Sequence, residues 1–340
     1  MSNKIIEVEN LQTAFMADKG ELISVDEVTF DLEPGETIGI VGESGCGKSV
    51  TSLSIMRLLG KNGYIKSGSV KMNGKELNKF TEAEMRQVRG NQISMIFQEP
   101  MTSLNPVYTI GNQMIEGIKL HLKMSTKDAS AYAIDMLKQV KIPRAEEMMN
   151  EYPHALSGGM RQRVMIAMAL SCKPKLLIAD EPTTALDVTI QAQILELMKE
   201  LREESDTAIM LITHDLGVIA EMADKVLVMY AGQVVEEADV FTLFDEPKHP
   251  YTKGLMKSIP HLEYEEHKRL YSIPGMVPTL QHMPKGCRFH TRCPYATEKC
   301  LQEKPPLSSI NKEKVHKVRC WLVEEEANLT KTKSIEEVHV

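Results

Sequence analysis

Residues 36–59 read ETIGIVGESGCGKSVTSLSIMRLL, and this stretch decides the fold. Ile38, Ile40 and Val41 form a short apolar run, and from Lys48 onward apolar residues recur at helical spacing. A strand therefore runs into a glycine-rich turn and leaves it as a helix. Within the turn, Gly42, Gly47, Lys48 and Ser49 fit the spacing G-x-x-x-x-G-K-[ST]. Glycines let successive backbone N–H groups face inward around an anion, and the positive end of the following helix points at the same place. A lysine there bridges the β- and γ-phosphates of a nucleoside triphosphate, and the serine ligates Mg²⁺. The expected nucleotide contacts are Gly42, Glu43, Ser44, Gly45, Cys46, Gly47, Lys48, Ser49 and Val50.

The partner of this loop lies in KPKLLIADEPTTALD, residues 173–187. Leu176, Leu177, Ile178 and Ala179 are a continuous apolar run, the pattern of a parallel strand buried on both faces. Asp180 and Glu181 follow at its C-terminal end, the edge where open α/β sheets place their ligands. Asp180 is expected to hold Mg²⁺, through water, and Glu181 to take a proton from the attacking water. On its own, an acidic pair ending a strand reads equally as a solvated terminus. The phosphate loop upstream is what turns it into a site.

Three further segments narrow the reading. LSGGMRQRVMIAMAL, residues 156–170, places Ser157 as an N-cap with Gly158 and Gly159 opening a helix. Two glycines weaken a helix start unless something approaches the backbone closely, and an anion is the obvious visitor. MIFQEPMTSLNP ends an apolar strand at Gln98, and AIMLITHDL ends another at His214. Taken in order, these segments resemble the ATP-binding cassette (ABC) family from about residue 5 to about residue 245. The resemblance covers Walker A at Gly42–Ser49, the Q-loop Gln98, the signature Leu156–Gln162, Walker B with Asp180 and Glu181, the D-loop Ala185–Asp187 and the H-loop His214.

That resemblance implies an α/β P-loop cassette: a RecA-like core plus a helical subdomain at about residues 100–164 that carries the signature. It also implies a head-to-tail dimer, in which Ser157, Gly158 and Gly159 of one subunit touch the γ-phosphate of ATP bound to the other. His214 would hold that phosphate against Glu181, Gln98 would join Ser49 and Asp180 around Mg²⁺, Asp187 would belong to the dimer-facing loop, and Phe15 would lie under adenine. A phenylalanine ending a first strand is otherwise an ordinary core residue.

Composition sets the remaining bounds. The 340 residues allow about two cores, and 42% apolar with 26% charged residues is ordinary globular composition. A net charge of −7 gives no electrostatic case for nucleic acid as a partner. The opening MSNKIIEVEN lacks a basic stretch before an apolar core, and no run approaches membrane-spanning length, so a reducing cytosolic setting is expected. A transporter ATPase of this kind must then dock on separate membrane proteins.

The stretch 246–340 is Pro-rich and expected to form a small irregular extension, with Phe289 and Trp321 as packing residues. It resembles the C-terminal extension of the oligopeptide and dipeptide importer subfamily, including its His-Pro-Tyr-Thr at His249–Thr252. Four of the six cysteines lie here, Cys287, Cys293, Cys300 and Cys320, with five, six and nineteen residues between them. Clustered thiols in a reducing compartment favour metal over disulfides. Zinc normally requires two cysteines on one tight turn, which no pair provides, whereas longer loops can embrace a wider cluster. Pro294 after Cys293 matches the Cys-Pro of ferredoxin runs, and the subfamily resemblance implies a [4Fe–4S] cluster, with zinc or free thiols as the alternatives. Cys46 and Cys172 read as packing residues.

The function expected is an ATPase subunit powering a bacterial peptide importer, bound peripherally at the cytoplasmic face of the membrane. Its expected partners are a second ATPase subunit, two permeases and, indirectly, an extracellular peptide-binding protein. The rival readings are a nickel-type importer ATPase of the same subfamily, a non-transport cassette, for instance in iron–sulfur assembly, and an electron carrier with a regulatory cassette.

Overall fold

The computed structural model describes residues 4–18, 20–98, 103–183, 187–259, 271–310 and 315–323. Pro100 of the expected helical subdomain, and Ala185 and Leu186 of the expected D-loop, lie outside these residues. The strands in chain order are β1 (Ile6–Ala17), β2 (Gly20–Leu32), β3 (Thr37–Val41), β4 (Gly63–Met72), β5 (Lys75–Glu76) and β6 (Ile93–Ile96). After these come β7 (Leu176–Asp180), β8 (Ala208–Ile212), β9 (Lys225–Tyr230), β10 (Gln233–Asp239), β11 (Ser308–Ser309) and β12 (His316–Val318). The helices used below are α1 (Lys48–Ile55), α2 (Ile110–Leu122), α3 (Thr126–Gln139), α4 (Gly158–Leu170), α5 (Val188–Ser205), α6 (Leu216–Met222) and α7 (Pro250–Lys257).

The main sheet has the order β11-β12-β10-β9-β3-β8-β7-β6 among the described residues. β6, β7, β8, β3 and β9 pair in parallel, so their C-terminal ends share one edge. β3 and β7, the two strands picked out by their apolar runs, are buried along their whole length. The period-two alternation of a strand divides them between two cores. Ile38, Ile40, Leu176 and Ile178 face a core shared with the antiparallel sheet β2-β1-β4-β5. Val41, Leu177 and Ala179 face a second core built with α2, α3, α4 and α5.

Local caps account for where the helices of the second layer begin. Thr109 accepts a hydrogen bond from the Asn112 N–H at 3.2 Å, and Ser125 accepts one from the Asp128 N–H at 3.2 Å. Each satisfies an N–H that the helix itself leaves unpaired. Ser157 caps α4 in the same way, accepting from the Met160 N–H at 3.4 Å.

The C-terminal stretch is bound into the cassette. β12 pairs antiparallel with β10, matching Glu236 to Val318 and Ala238 to His316, and so extends the main sheet. His249 caps α7, its Nδ1 accepting from the Tyr251 N–H at 3.0 Å, and Pro250 occupies the first turn, where no donor is lost. The fully buried Glu236 carboxylate accepts from the N–H groups of Lys248 (2.7 Å) and His249 (2.8 Å) and lies 2.8 Å from His316 Nε2. Burial opposes its charge, but these bonds hold Glu236 below the usual carboxylate range. Phe289 packs edge-on to Tyr230 at 5.1 Å between ring centres and lies 5.5 Å from Tyr251. The tie is therefore ladder, buried charge and aromatic core together.

A second buried charge fastens the same stretch to β2. Asp26 accepts from Arg288 Nη2 at 2.7 Å, Lys304 Nζ at 3.0 Å and Gln233 Nε2 at 2.7 Å. Burial would raise its pKa, but the Arg288 charge and the Lys304 and Gln233 hydrogen bonds bring it down to about 2. A carboxylate depressed in the folded state stabilises it above the unfolded pKa of 3.8, and that stability is lost as pH falls towards about 2. Asp26→Asn is accordingly expected to destabilise the protein by roughly 2 kcal/mol at neutral pH. Calorimetric melting as a function of pH checks this: the gap between variant and wild type should close as the pH falls through the acid range.

Candidate nucleotide site

The phosphate loop leaves β3 at the shared sheet edge and enters α1. Gly42 has φ +154°, and a Cβ there would stand 2.2 Å from the Met229 carbonyl oxygen. Gly47, at φ +103°, would bring a Cβ 3.0 Å from the Ser24 carbonyl oxygen. Both glycines are thus required by the close passage of the loop over neighbouring backbone. Lys48 is buried, its Nζ donating to the carbonyls of Gly42 at 2.6 Å and Glu43 at 3.2 Å. Cys46 is buried and its thiol is pushed upward by that burial, which fits packing and leaves its backbone as the contact.

The groove over this loop is lined by Phe15, Ser24, Ser44, Gly45, Cys46, Gly47, Lys48, Ser49, Val50, Gln98, Glu181 and Leu280. It brings together most of the residues expected from the sequence. Gln98 Nε2 donates to Glu181 Oε2 at 3.0 Å, and His214 Nδ1 lies 3.5 Å from Glu181 Oε1. Three strand ends, those of β6, β7 and β8, supply these three side chains. Glu181 itself has φ +49°, an uncommon backbone for a non-glycine residue, and its N–H donates to the Ile212 carbonyl at 2.8 Å.

Asp180 sits deeper. It is buried, and its Oδ1 has no hydrogen-bond partner among the described residues. Burial raises its pKa, and a hydrogen bond from Ser49 offsets part of that rise. An orphaned carboxylate oxygen beside a serine hydroxyl suits a divalent cation, whose charge would supply the missing partner.

Other expected residues stand apart. Ser157, Gly158 and Gly159 do not line the groove; Ser157 and Gly158 are exposed at the start of α4. Their helix is nonetheless tied to the site, because the buried Gln162 donates to the carbonyl of Pro182, next to Glu181. Asp187 is exposed and caps α5, accepting from the Ile190 N–H at 2.9 Å. The four clustered cysteines are free thiols and line one pocket together with His249, His290 and Trp321. Burial pushes Cys287 up to about 11 and raises Cys293 and Cys320 as well. No group of three or more Cys, His, Asp or Glu is placed to hold a metal ion among the described residues, so the expected cluster ligands share a pocket without forming a closed coordination set.

Sequence reasoning missed Ser24 and Leu280, which reach the groove from β2 and from the C-terminal stretch. No local pattern marks either residue, since their role exists only where separate segments meet.

The ABC transporter family profile matches residues 25–184, and the profile of the C-terminal region of oligopeptide/dipeptide transporters matches residues 235–300. The oligopeptide transport ATP-binding protein AppD of Bacillus subtilis is 57% identical over 323 residues, covering 95% of this chain and 98% of its own. The chain belongs to the ATP-binding subunits of the oligopeptide/dipeptide ABC transporters. OppD of Haemophilus influenzae is 51% identical over 327 residues, covering 96% of this chain and all of its own. The dimeric ATP-binding cassette MJ0796, in a post-hydrolysis state with ADP and Pi, has a similar structure, with a TM-score of 0.63 and 26% identity. That similarity covers 69% of this chain and 98% of the cassette. Oligopeptide/dipeptide family membership makes this subunit an ATPase coupled to peptide transport and favours neither a nickel-type importer nor a non-transport cassette.

In the groove, Leu280 faces the same space as Phe15, the residue expected under the base. Leu280→Ala removes apolar cover and is expected to raise the KM for ATP about fivefold with little change in kcat, measured by steady-state hydrolysis.

Proposed function

We propose that Glu181 is the general base that activates the hydrolytic water, with Gln98 and His214 holding its carboxylate. The observation that carries this reading is the convergence of both side chains on Glu181, at 3.0 and 3.5 Å, beside the phosphate loop. Lys48 exchanges its loop carbonyls for the β- and γ-phosphates, an exchange that a flexible ammonium makes readily. Asp180, Ser49 and Gln98 would hold Mg²⁺, which supplies charge neutralisation on the phosphates. The residue order suits a site completed by another subunit: the phosphate loop lines the groove, while Ser157, Gly158 and Gly159 present a helix N-terminus outward. A head-to-tail dimer with a second ATPase subunit follows, with Asp187 near the seam. The dimeric arrangement of the similar cassette supports it.

We further propose that this subunit sits peripherally on the cytoplasmic face of the membrane, against two permeases that receive peptide from an extracellular binding protein. Among the described residues no helix is long and apolar enough to cross a membrane. A groove lined by Met56, Leu58, Met95, Phe97, Leu104 and Met168 adjoins Gln98, and Leu58 and Phe97 are exposed there. Such an apolar surface beside a catalytic strand end suits a permease segment that senses the nucleotide state. In this division residues 1–245 form the ATP-hydrolysing domain, and residues 246–340 form the extension that carries the four clustered cysteines.

For the cysteine pocket we propose a [4Fe–4S] cluster on Cys287, Cys293, Cys300 and Cys320, with zinc as the alternative. Four reduced thiols around one apolar pocket are a suitable donor set, and the burial that raises Cys287, Cys293 and Cys320 is an environment in which a metal charge would stabilise the thiolates. The Cys287 N–H donates to the Cys300 carbonyl at 2.8 Å, so two of the donor loops are already joined. Metal binding of this kind mainly stabilises a small irregular unit.

Glu181→Gln is expected to bind ATP, accumulate as the closed dimer and lose hydrolysis by at least about a hundredfold; unchanged turnover would remove Glu181 as base. Anaerobically purified protein is expected to be brown, and Cys293→Ser to lose that absorbance together with thermal stability. A colourless wild type carrying stoichiometric zinc would rule out the cluster.

A further inference from the structure

Glu43 is a carboxylate set inside the phosphate loop, directly after Gly42. A negative charge at that place would repel the triphosphate that the loop is built to hold. The side chain does not line the nucleotide groove. It is gripped from the C-terminal stretch instead, by Arg292 Nη1 on Oε2 at 2.5 Å and Arg292 Nη2 on Oε1 at 3.0 Å. This two-pronged geometry is the strongest pairing a carboxylate makes. Arg292 is in turn fixed: its Nε donates to the Pro274 carbonyl at 2.8 Å, its Nη2 to the Ile273 carbonyl at 3.1 Å, and its guanidinium lies 5.7 Å from the Tyr230 ring centre. The backbone of the same residue is held too, the Glu43 N–H donating to Tyr251 Oη at 2.9 Å. Two residues of the extension thus grip one residue of the loop, by its charge and by its peptide.

We propose that Arg292 is a positioning residue for nucleotide binding, which neutralises Glu43 and, with Tyr251, fixes the orientation of the loop's first peptide. The extension thereby sets the affinity of the cassette for ATP without touching the nucleotide through this pair. The inference rests on the reading of Gly42–Ser49 as the nucleotide site.

The test is equilibrium binding of ATP with magnesium to the full chain, by titration calorimetry. Arg292→Ala is expected to weaken binding about tenfold, because it leaves Glu43 unpaired beside the phosphates. Adding Glu43→Gln to Arg292→Ala should restore affinity to within about threefold of wild type, a rescue that a purely structural role of Arg292 would not produce. Wild-type affinity in Arg292→Ala, or a loss that Glu43→Gln leaves in place, would overturn the proposal. Where Arg292→Ala does not fold, Arg292→Gln fills the same space without the charge and is held to the same two outcomes. Lys48→Ala in parallel tests the site itself: undiminished ATP binding there would overturn the nucleotide reading, whatever the Arg292 variants do.

Discussion

The parallel pairing of β3 with β8 on one side and β9 on the other is the constraint from which the site follows. Parallel strands end together, so the phosphate loop after β3, the acidic pair after β7 and His214 after β8 arrive at one edge without long connecting loops. That edge is also where α1 begins, with its unpaired N–H groups directed at the same space. Burial of β3, β7 and β8 on both faces, by two separate apolar cores, keeps the edge rigid. Rigidity matters because hydrolysis depends on positioning a water and a phosphate within a fraction of an ångström.

Charge is distributed around this edge by depth. Asp180 is buried with an oxygen that has no partner among the described residues, Glu181 is nearer the surface between two polar side chains, and Glu43 is paired with Arg292. Three acidic groups crowd a site for an anion, and each has a different setting: Asp180 beside the Ser49 hydroxyl, Glu181 between Gln98 and His214, and Glu43 in an ion pair. The same economy appears at Asp26 and Glu236, buried carboxylates satisfied by groups that arrive from distant segments. These pairs fasten the C-terminal stretch where hydrophobic burial alone would leave a Pro-rich segment loosely attached.

The joined architecture brings the C-terminal stretch into direct contact with the phosphate loop. β12 lengthens the main sheet, Phe289 and Tyr251 enter its core, Leu280 reaches the groove and Arg292 grips the loop. Arg288 and Arg292 lie between Cys287 and Cys293, so the chain segment that presents the first two thiols also presents both arginines. Whatever orders the cysteine loop therefore orders the contacts to β2 and to the phosphate loop.

Much of the cassette was legible in the primary structure because its chemistry is local. Glycines that admit close backbone approach, a lysine and serine at a fixed offset, and carboxylates ending an apolar run are each specified within a few residues, and resemblance to the ABC family supplied Gln98, His214 and the signature. The cap at Ser157 belongs to the same class, since a capping oxygen acts three residues away. The tertiary structure alone decided what depends on separation in sequence. Proline density read the stretch after residue 246 as irregular, yet β12 finds its partner strand some 80 residues away through backbone hydrogen bonds that no side-chain pattern announces. Leu280 in the groove, Gln162 on Pro182 and Arg292 on Glu43 are likewise fixed only when the cores close and bring remote groups within bonding distance. Short-range spacing encodes the chemical groups, whereas burial and long-range pairing determine which of them meet.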